Sequence, residues 1–429
     1  MSWFIWLFKN KLFKETFISV LDQGLLSATN FTINLLLIRN ALPSEYGAYT
    51  LAFSTILLMV GMQNALVVTP MIVLGPKREP EARAQFVGDL LSGQYVLWLP
   101  ASILAFIGSY FLQYVGFDSL EISVIRVGSA TVLFVLLREF FRRVFFLYLY
   151  PKTVLLVDFI YSATFIATIV IAINLFEISA LLALTSMFFA CLVVVPISLF
   201  LSRKSVQFSF SWRPGVLMET WVHGKFAIMG VIFTWLHNRA FLFLLSGIKD
   251  NAAVADIDSI RLIYMPIQIV MTSIASILKP RGAAILAENA KMRFFKVSSI
   301  YMLLTIGGAF FYITIMLLTF DMFAVHLFKR AIDDSSLIVL LWGIKFGLHA
   351  CLLILTVSYQ VLERFKTLFR VGAVAAFVSV ISTWWGIVLW EAPGSLFGPI
   401  AGEICYVVLL LYLARRDIIT GVRGLTQGI

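Results

Sequence analysis

The sequence predicts an all-α polytopic membrane protein with about twelve transmembrane helices in two six-helix bundles. Three observations carry this. Hydrophobic residues make up 61% of the 429 residues and charged residues 13%, about half the charged share of a soluble domain. The apolar residues fall in runs of the length a helix needs to cross a bilayer at ~1.5 Å rise per residue. The basic residues gather between alternate runs, the bias that sets membrane orientation.

Residues 1–14 set Trp3, Phe4, Trp6, Leu7 and Phe8 beside Lys9, Lys11 and Lys14. This pattern predicts an amphipathic helix at the membrane surface, aromatics in the interface and lysines in water. The aromatics precede the charges and no A-x-A site follows, unlike a signal peptide. Residues 16–71 then form a hairpin. Its apolar runs, Thr16 to Ile38 and Tyr46 to Val68, flank a short turn in which Pro43 breaks the helix. Asp22, Gln23, Asn30, Asn34, Gln63 and Asn64 lie inside it. Polar groups at that depth face other helices or a watery cavity.

A polar loop over 75–85 leads to apolar runs near 86–114 and 119–137. The basic segment LREFFRRVFFLYLYPK (137–152) reads as a connection, and runs near 153–174 and 179–201 complete an N-terminal lobe over 15–201. Residues 202–221 read as a cytoplasmic linker. A C-terminal lobe over 222–414 repeats the plan, with spans near 222–246, 254–278, 297–320, 336–359, 367–390 and 395–414, before a polar tail over 415–429. With both termini cytoplasmic, the outer side holds only Arg39, Lys249, Lys329 and Arg330 among the connection cations. The alternation supports both the span count and the orientation.

The net charge of +10 would raise nucleic acid as a partner in a soluble protein. Here basic loops account for it, and no nucleic-acid partner is expected. Cys191, Cys351 and Cys405 lie in apolar runs without CxxC spacing, and His223, His237, His326 and His349 are scattered along the chain. Neither set predicts a metal site. No HExxH, GxSxG, P-loop or GxGxxG is present. No catalytic residue and no bound cofactor are expected.

The informative residues are charges inside the spans. Arg126, Arg239, Arg261 and Lys345 sit several residues in from the span ends. Such cations either snorkel or pair with a nearby acid, and Asp258 with Arg261 has the helical spacing for a simple pair. As a group they repel one another unless an anion visits. A pyrophosphate meets that need, because Arg binds its oxygens with bidentate geometry. Asp22, Asp158 and Glu403 are candidates for H+ or Na+ coupling, or for helix–helix hydrogen bonds. Gln23, Asn30, Asn34 and Gln268 are candidate sugar or cavity contacts, or interhelical fastenings.

Over residues 15–75, the order SVLDQ…NF…LLLIR…EYGAYTLAFS…GMQNALVVTPM resembles the N-terminus of MOP-superfamily polysaccharide transporters, the Wzx-type flippases. A weaker match lies near 222–280. The resemblance implies a MATE-like fold and translocation of polyprenyl-pyrophosphate-linked oligosaccharide across the inner membrane for surface polysaccharide. It also implies a polymerase and glycosyltransferases as pathway partners. An ion-coupled multidrug exporter of the same superfamily shares the helix count, but cationic spans repel organic cations. A polysaccharide polymerase or O-antigen ligase resembles the chain in hydropathy but carries a large outer loop, which this sequence lacks.

Overall fold

The computed structural model describes residues 11–203, 214–288, 290–328 and 332–426. The surface helix expected over 1–14 falls almost wholly outside them, as do the middle of the 202–221 linker, Lys329 and Arg330. The described backbone winds into twelve helical elements. They are α1 (Lys11–Asn40), α2 (Pro43–Lys77), α3 (Pro80–Gly108), α4 (Ser119–Leu147), α5 (Pro151–Ile173) and α6 (Ala180–Ser202), followed by α7 (Pro214–Ile248), α8 (Asn251–Ala287), α9 (Lys291–Phe328), α10 (Ser335–Val361), α11 (Phe365–Gly394) and α12 (Phe397–Thr426).

Eleven of these, α2 to α12, have the length and apolar composition to cross a membrane. At 30 residues, α1 is long enough as well, but Asp22, Gln23, Asn30 and Asn34 dilute its apolar run. Large apolar side chains cover the outside: Leu104, Phe310 and Leu318 are each at least 70% exposed, which only a lipid solvent tolerates on this scale. The chain is a multi-pass membrane protein.

Helix ends follow from the sequence. Pro43, Pro80 and Pro151 each stand at a first helical position, where the missing N–H costs nothing. Asp118 and Glu121 form a reciprocal cap on α4. Ser179 and Asp250 accept from Leu182 N (3.2 Å) and Ala253 N (2.7 Å) at the starts of α6 and α8.

Two expected connections are instead mostly helix. In the 75–85 segment, only Arg78 and Glu79 lie between helical turns, and α3 begins at Pro80. In the 137–152 segment, α4 runs on to Leu147. Arg138 and Arg142 are buried there rather than displayed in a loop. The sequence pattern assigns their charges to the basic side of the membrane; ion pairing within the protein explains them instead.

The chain divides into two compact units, one ending at Ile232 and the other starting at Phe233, a point inside α7. In the first, α4 is central and packs on α2, α3 and α6, while α5 packs on α1 and α6. In the second, α10 is central and packs on α8, α9 and α12, while α11 packs on α12. The pairings of the central helix, and that of α5 with α6, thus recur six helices later.

The connection after each central helix recurs too. Tyr150 N donates to Phe145 O (2.9 Å) and Leu149 N to Phe146 O (3.1 Å), with Leu149 at φ 57°. Arg364 N donates to Tyr359 O (2.9 Å) and Glu363 N to Gln360 O (3.0 Å), with Glu363 at φ 56°. Each is a left-handed helix cap that satisfies terminal carbonyls. A non-glycine residue there costs roughly 1–2 kcal/mol, so its occurrence twice at matching places marks an internal structural repeat.

Within the first unit, Asn64–Val68 is wound as a π-helical turn in α2, and Gly224 of α7 lies against it. A Cβ at Gly224 would meet the Ala65 carbonyl oxygen at 2.7 Å and Leu66 Cα at 3.1 Å. Both are backbone atoms and cannot step aside. Gly224→Ala is therefore expected to destabilise the protein by about 1–3 kcal/mol, the usual cost of overpacking, measured as a lower unfolding temperature in detergent. An unchanged temperature would contradict the close approach.

Candidate functional site

Each unit buries a charge cluster on its central helix. In the first, Arg138 and Arg142, one helical turn apart on α4, share the Asp158 carboxylate of α5. Arg138 Nη2 reaches Asp158 Oδ1 at 2.7 Å and Arg142 Nε reaches Oδ2 at 2.5 Å. Arg142 Nη2 also reaches Asp22 Oδ2 of α1 at 2.6 Å. Glu139 completes the set at 3.3 Å from Arg138 and 3.8 Å from Arg142. The Arg138 guanidinium stacks 3.7 Å over the Tyr161 ring. These charge-assisted bonds fasten α1, α4 and α5 into one group. Beside them, Gln63 Nε2 donates to Leu136 O (2.7 Å) and to Gln94 Oε1.

In the second unit, Glu403 of α12 is fully buried. Its Oε1 lies 2.9 Å from His349 Nδ1, 3.6 Å from His237 Nε2 and 3.7 Å from Lys345 Nζ. Among the described residues, its Oε2 has no hydrogen-bond partner, and neither has either His237 ring nitrogen. Gly402 makes this possible: a Cβ there would come within 2.5 Å of the His237 ring. Ser379 of α11 holds that part of α7 by donating to the His237 carbonyl (3.1 Å).

Asp258 of α8 anchors the remaining cations. Arg261 binds both its carboxylate oxygens, at 2.6 and 3.2 Å, and Arg239 of α7 lies 4.0 Å away. Trp342 Nε1 donates to Ile257 O (2.9 Å) and Tyr264 OH to Val339 O (2.7 Å), which pins this stretch of α8 to α10. Lys345, Arg239 and Arg261 thus lie with the carboxylates of Glu403 and Asp258 in one unit, on helices long enough to span a membrane.

Three of the four expected anion-binding cations, Arg239, Arg261 and Lys345, are thus brought together. Arg126 is elsewhere, in the first unit, where its Nε donates to Ser109 Oγ (3.0 Å) and its guanidinium stacks 3.9 Å from the Tyr110 ring. Among the expected coupling acids, Asp22 and Asp158 share the first cluster and Glu403 centres the second. Asn34 donates to Asn30 O (2.7 Å) and accepts from Tyr46 OH (3.1 Å), tying α1 to α2. Gln23 and Gln268 are exposed and Asn30 half-buried.

Sequence reasoning missed His237 and His349, which appeared scattered but meet at Glu403. It also missed Arg138, Glu139 and Arg142 as buried partners. For the arginines a signal existed: positions 138 and 142 are four apart and share one helix face, whereas a basic loop has no such register. For the histidines there was none, since more than fifty residues separate either from Glu403.

No family model matches the sequence, and no curated protein does. Solved structures do match. One is the lipid II flippase MurJ in an inward closed conformation, 13% identical, with a TM-score of 0.72 over 94% of this chain and 87% of that one. A second is a MATE-family multidrug resistance transporter of the MOP superfamily in an inward-facing conformation. It is 14% identical, with a TM-score of 0.75 over 92% and 95% of the two chains. The chain has the fold of the MOP-superfamily transporters. A third neighbour, the MATE transporter VcmN of Vibrio cholerae, is 14% identical with a TM-score of 0.66 over 95% and 96% of the chains. The all-α MATE-like class expected from the sequence is the one found.

Proposed function

We propose that this protein is a flippase that moves polyprenyl-pyrophosphate-linked oligosaccharide repeat units across the plasma membrane for surface polysaccharide assembly. The observation that carries the reading is the gathering of Arg239, Arg261 and Lys345 around Asp258 and Glu403 on helices long enough to span the membrane. A buried cation costs about 2.5–3.5 kcal/mol even on the mild insertion scale, and a visiting pyrophosphate offsets that cost at the moment of binding. That one fold neighbour is a lipid II flippase agrees with a lipid-linked substrate.

In this proposal the lobes over 15–201 and 222–414, joined by a cytoplasmic linker over 202–221 and with both termini cytoplasmic, work by alternating access. The glycan head passes through the polar interior while the polyprenyl tail stays in lipid. Arg126 receives the headgroup on its way, and Gln23, Asn30, Asn34 and Gln268 contact sugar. The neighbouring polymerase and glycosyltransferases of the pathway supply and consume the substrate.

Deleting the gene tests this. Complete lipid-linked repeat units are expected to accumulate facing the cytoplasm, with no surface polymer. Units that reach the outer face unpolymerised would point to a polymerase or ligase. Normal lipid-linked intermediates would point to an ion-coupled exporter of small molecules, which the MATE neighbours share a fold with.

A further inference from the structure

Resting on the flippase reading, we infer that Glu403 is a resident counter-ion that the substrate's pyrophosphate displaces from Lys345, and that His237 and His349 take up a proton as it does so. The geometry carries the first step. Only one carboxylate oxygen of Glu403 is engaged, and Lys345 is held at 3.7 Å rather than at hydrogen-bond distance. A phosphate oxygen forms shorter, charge-assisted bonds to the same ammonium group. The second step follows from where the carboxylate is left. His349 Nδ1 is 2.9 Å from it and His237 Nε2 3.6 Å, while the other carboxylate oxygen, Oε2, is buried with no partner among the described residues.

The His237 and His349 imidazoles and the Glu403 carboxylate share one side of this site with Lys345. Bringing in a pyrophosphate adds negative charge, which favours protonation of the nearest basic group. That group is the His237–His349 pair, and the proton comes from solvent. The imidazolium so formed then replaces Lys345 as the partner of Glu403. The other charged or titratable groups around the site are Arg239 of α7, Asp258 and Arg261 of α8, Cys351 of α10 and Tyr406 of α12. Arg239 and Arg261 are held by Asp258, so they accompany the exchange without taking up a proton. Substrate and proton binding are then linked, each strengthening the other.

The test uses the full-length protein in nanodiscs and inorganic pyrophosphate as the probe, titrated calorimetrically near neutral pH in two buffers of different ionisation enthalpy. The wild type is expected to take up about one proton per pyrophosphate, as linked binding requires. His237→Gln/His349→Gln is expected to bind with no proton uptake. Glu403→Gln removes the competing anion and is expected to bind about tenfold more tightly, within the range of such couplings.

Wild-type binding without proton uptake would overturn the inference and leave the flippase reading standing, and this readout needs no variant to fold. Glu403→Gln that remains folded by size-exclusion chromatography, yet binds no more tightly, would overturn it too. Pyrophosphate ignored by wild type and variants alike would overturn both the inference and the anion site. Proton-linked binding in a protein that flips no lipid-linked glycan would uphold the inference and remove the flippase reading.

Discussion

Asp158→Asn is expected to destabilise the folded protein by about 3–5 kcal/mol, the cost of breaking a buried ion pair by removing one partner. Asp158 is fully buried and accepts from two arginines at 2.7 and 2.5 Å. With its charge gone, Arg138 keeps only Glu139 and the Tyr161 ring face, and Arg142 keeps Asp22 and the distant edge of Glu139. Both guanidinium groups then lose their shared ionised acceptor in a medium where neither is hydrated. Denaturation of the purified protein in detergent measures this. The double variant Arg142→Gln/Asp158→Asn is expected to lose less than the sum of the two single losses, since each removes the other's orphan. Additive losses would show that the two residues act independently and would contradict the cluster.

The helices were legible in the sequence because the bilayer sets their length: a run of about twenty apolar residues has few other uses. What blurred were the ends. At Arg138 and Arg142 hydropathy falls while the helix continues, because buried acids on α1 and α5 replace the water that a loop would have offered. The same contrast divides the site. Asp258 with Arg261 could be read as a pair because a helix brings residues three apart together. Asp22 with Arg142, or Glu403 with His237, could not, because tertiary packing alone joins them. The repeat was faint for a related reason. It is carried by backbone caps at Leu149 and Glu363, whose side chains share no chemistry. The charges have moved between copies as well. Counted back equally from these caps, the place of Lys345 in the second unit is taken by Thr131 in the first, whose hydroxyl donates to Val127 O (2.8 Å).

Lys345→Gln and Arg261→Gln are each expected to slow glycan translocation by about 10–100-fold. That is the equivalent of losing one hydrogen bond to a charged group at roughly 1.5–3 kcal/mol. Arg261→Lys keeps the charge but loses the bidentate fork, and its rate is expected to fall between those of Arg261→Gln and the wild type. Lys225→Gln is the control: Lys225 is exposed on α7 and its loss is expected to leave the rate unchanged. A graded response of this kind separates headgroup recognition from a general loss of fold, which would affect all four variants through yield and stability.

The most direct measurement is translocation itself. The purified protein is reconstituted into vesicles with a fluorescent polyprenyl-pyrophosphate oligosaccharide, and the fraction reached by an impermeant quencher is followed with time. The protein is expected to move the labelled lipid between leaflets faster than empty vesicles do, with the Lys345 and Arg261 variants slowed as above. A rate equal to that of empty vesicles, or one indifferent to both substitutions, would contradict the proposal that Lys345 and Arg261 receive the headgroup of a lipid-linked glycan.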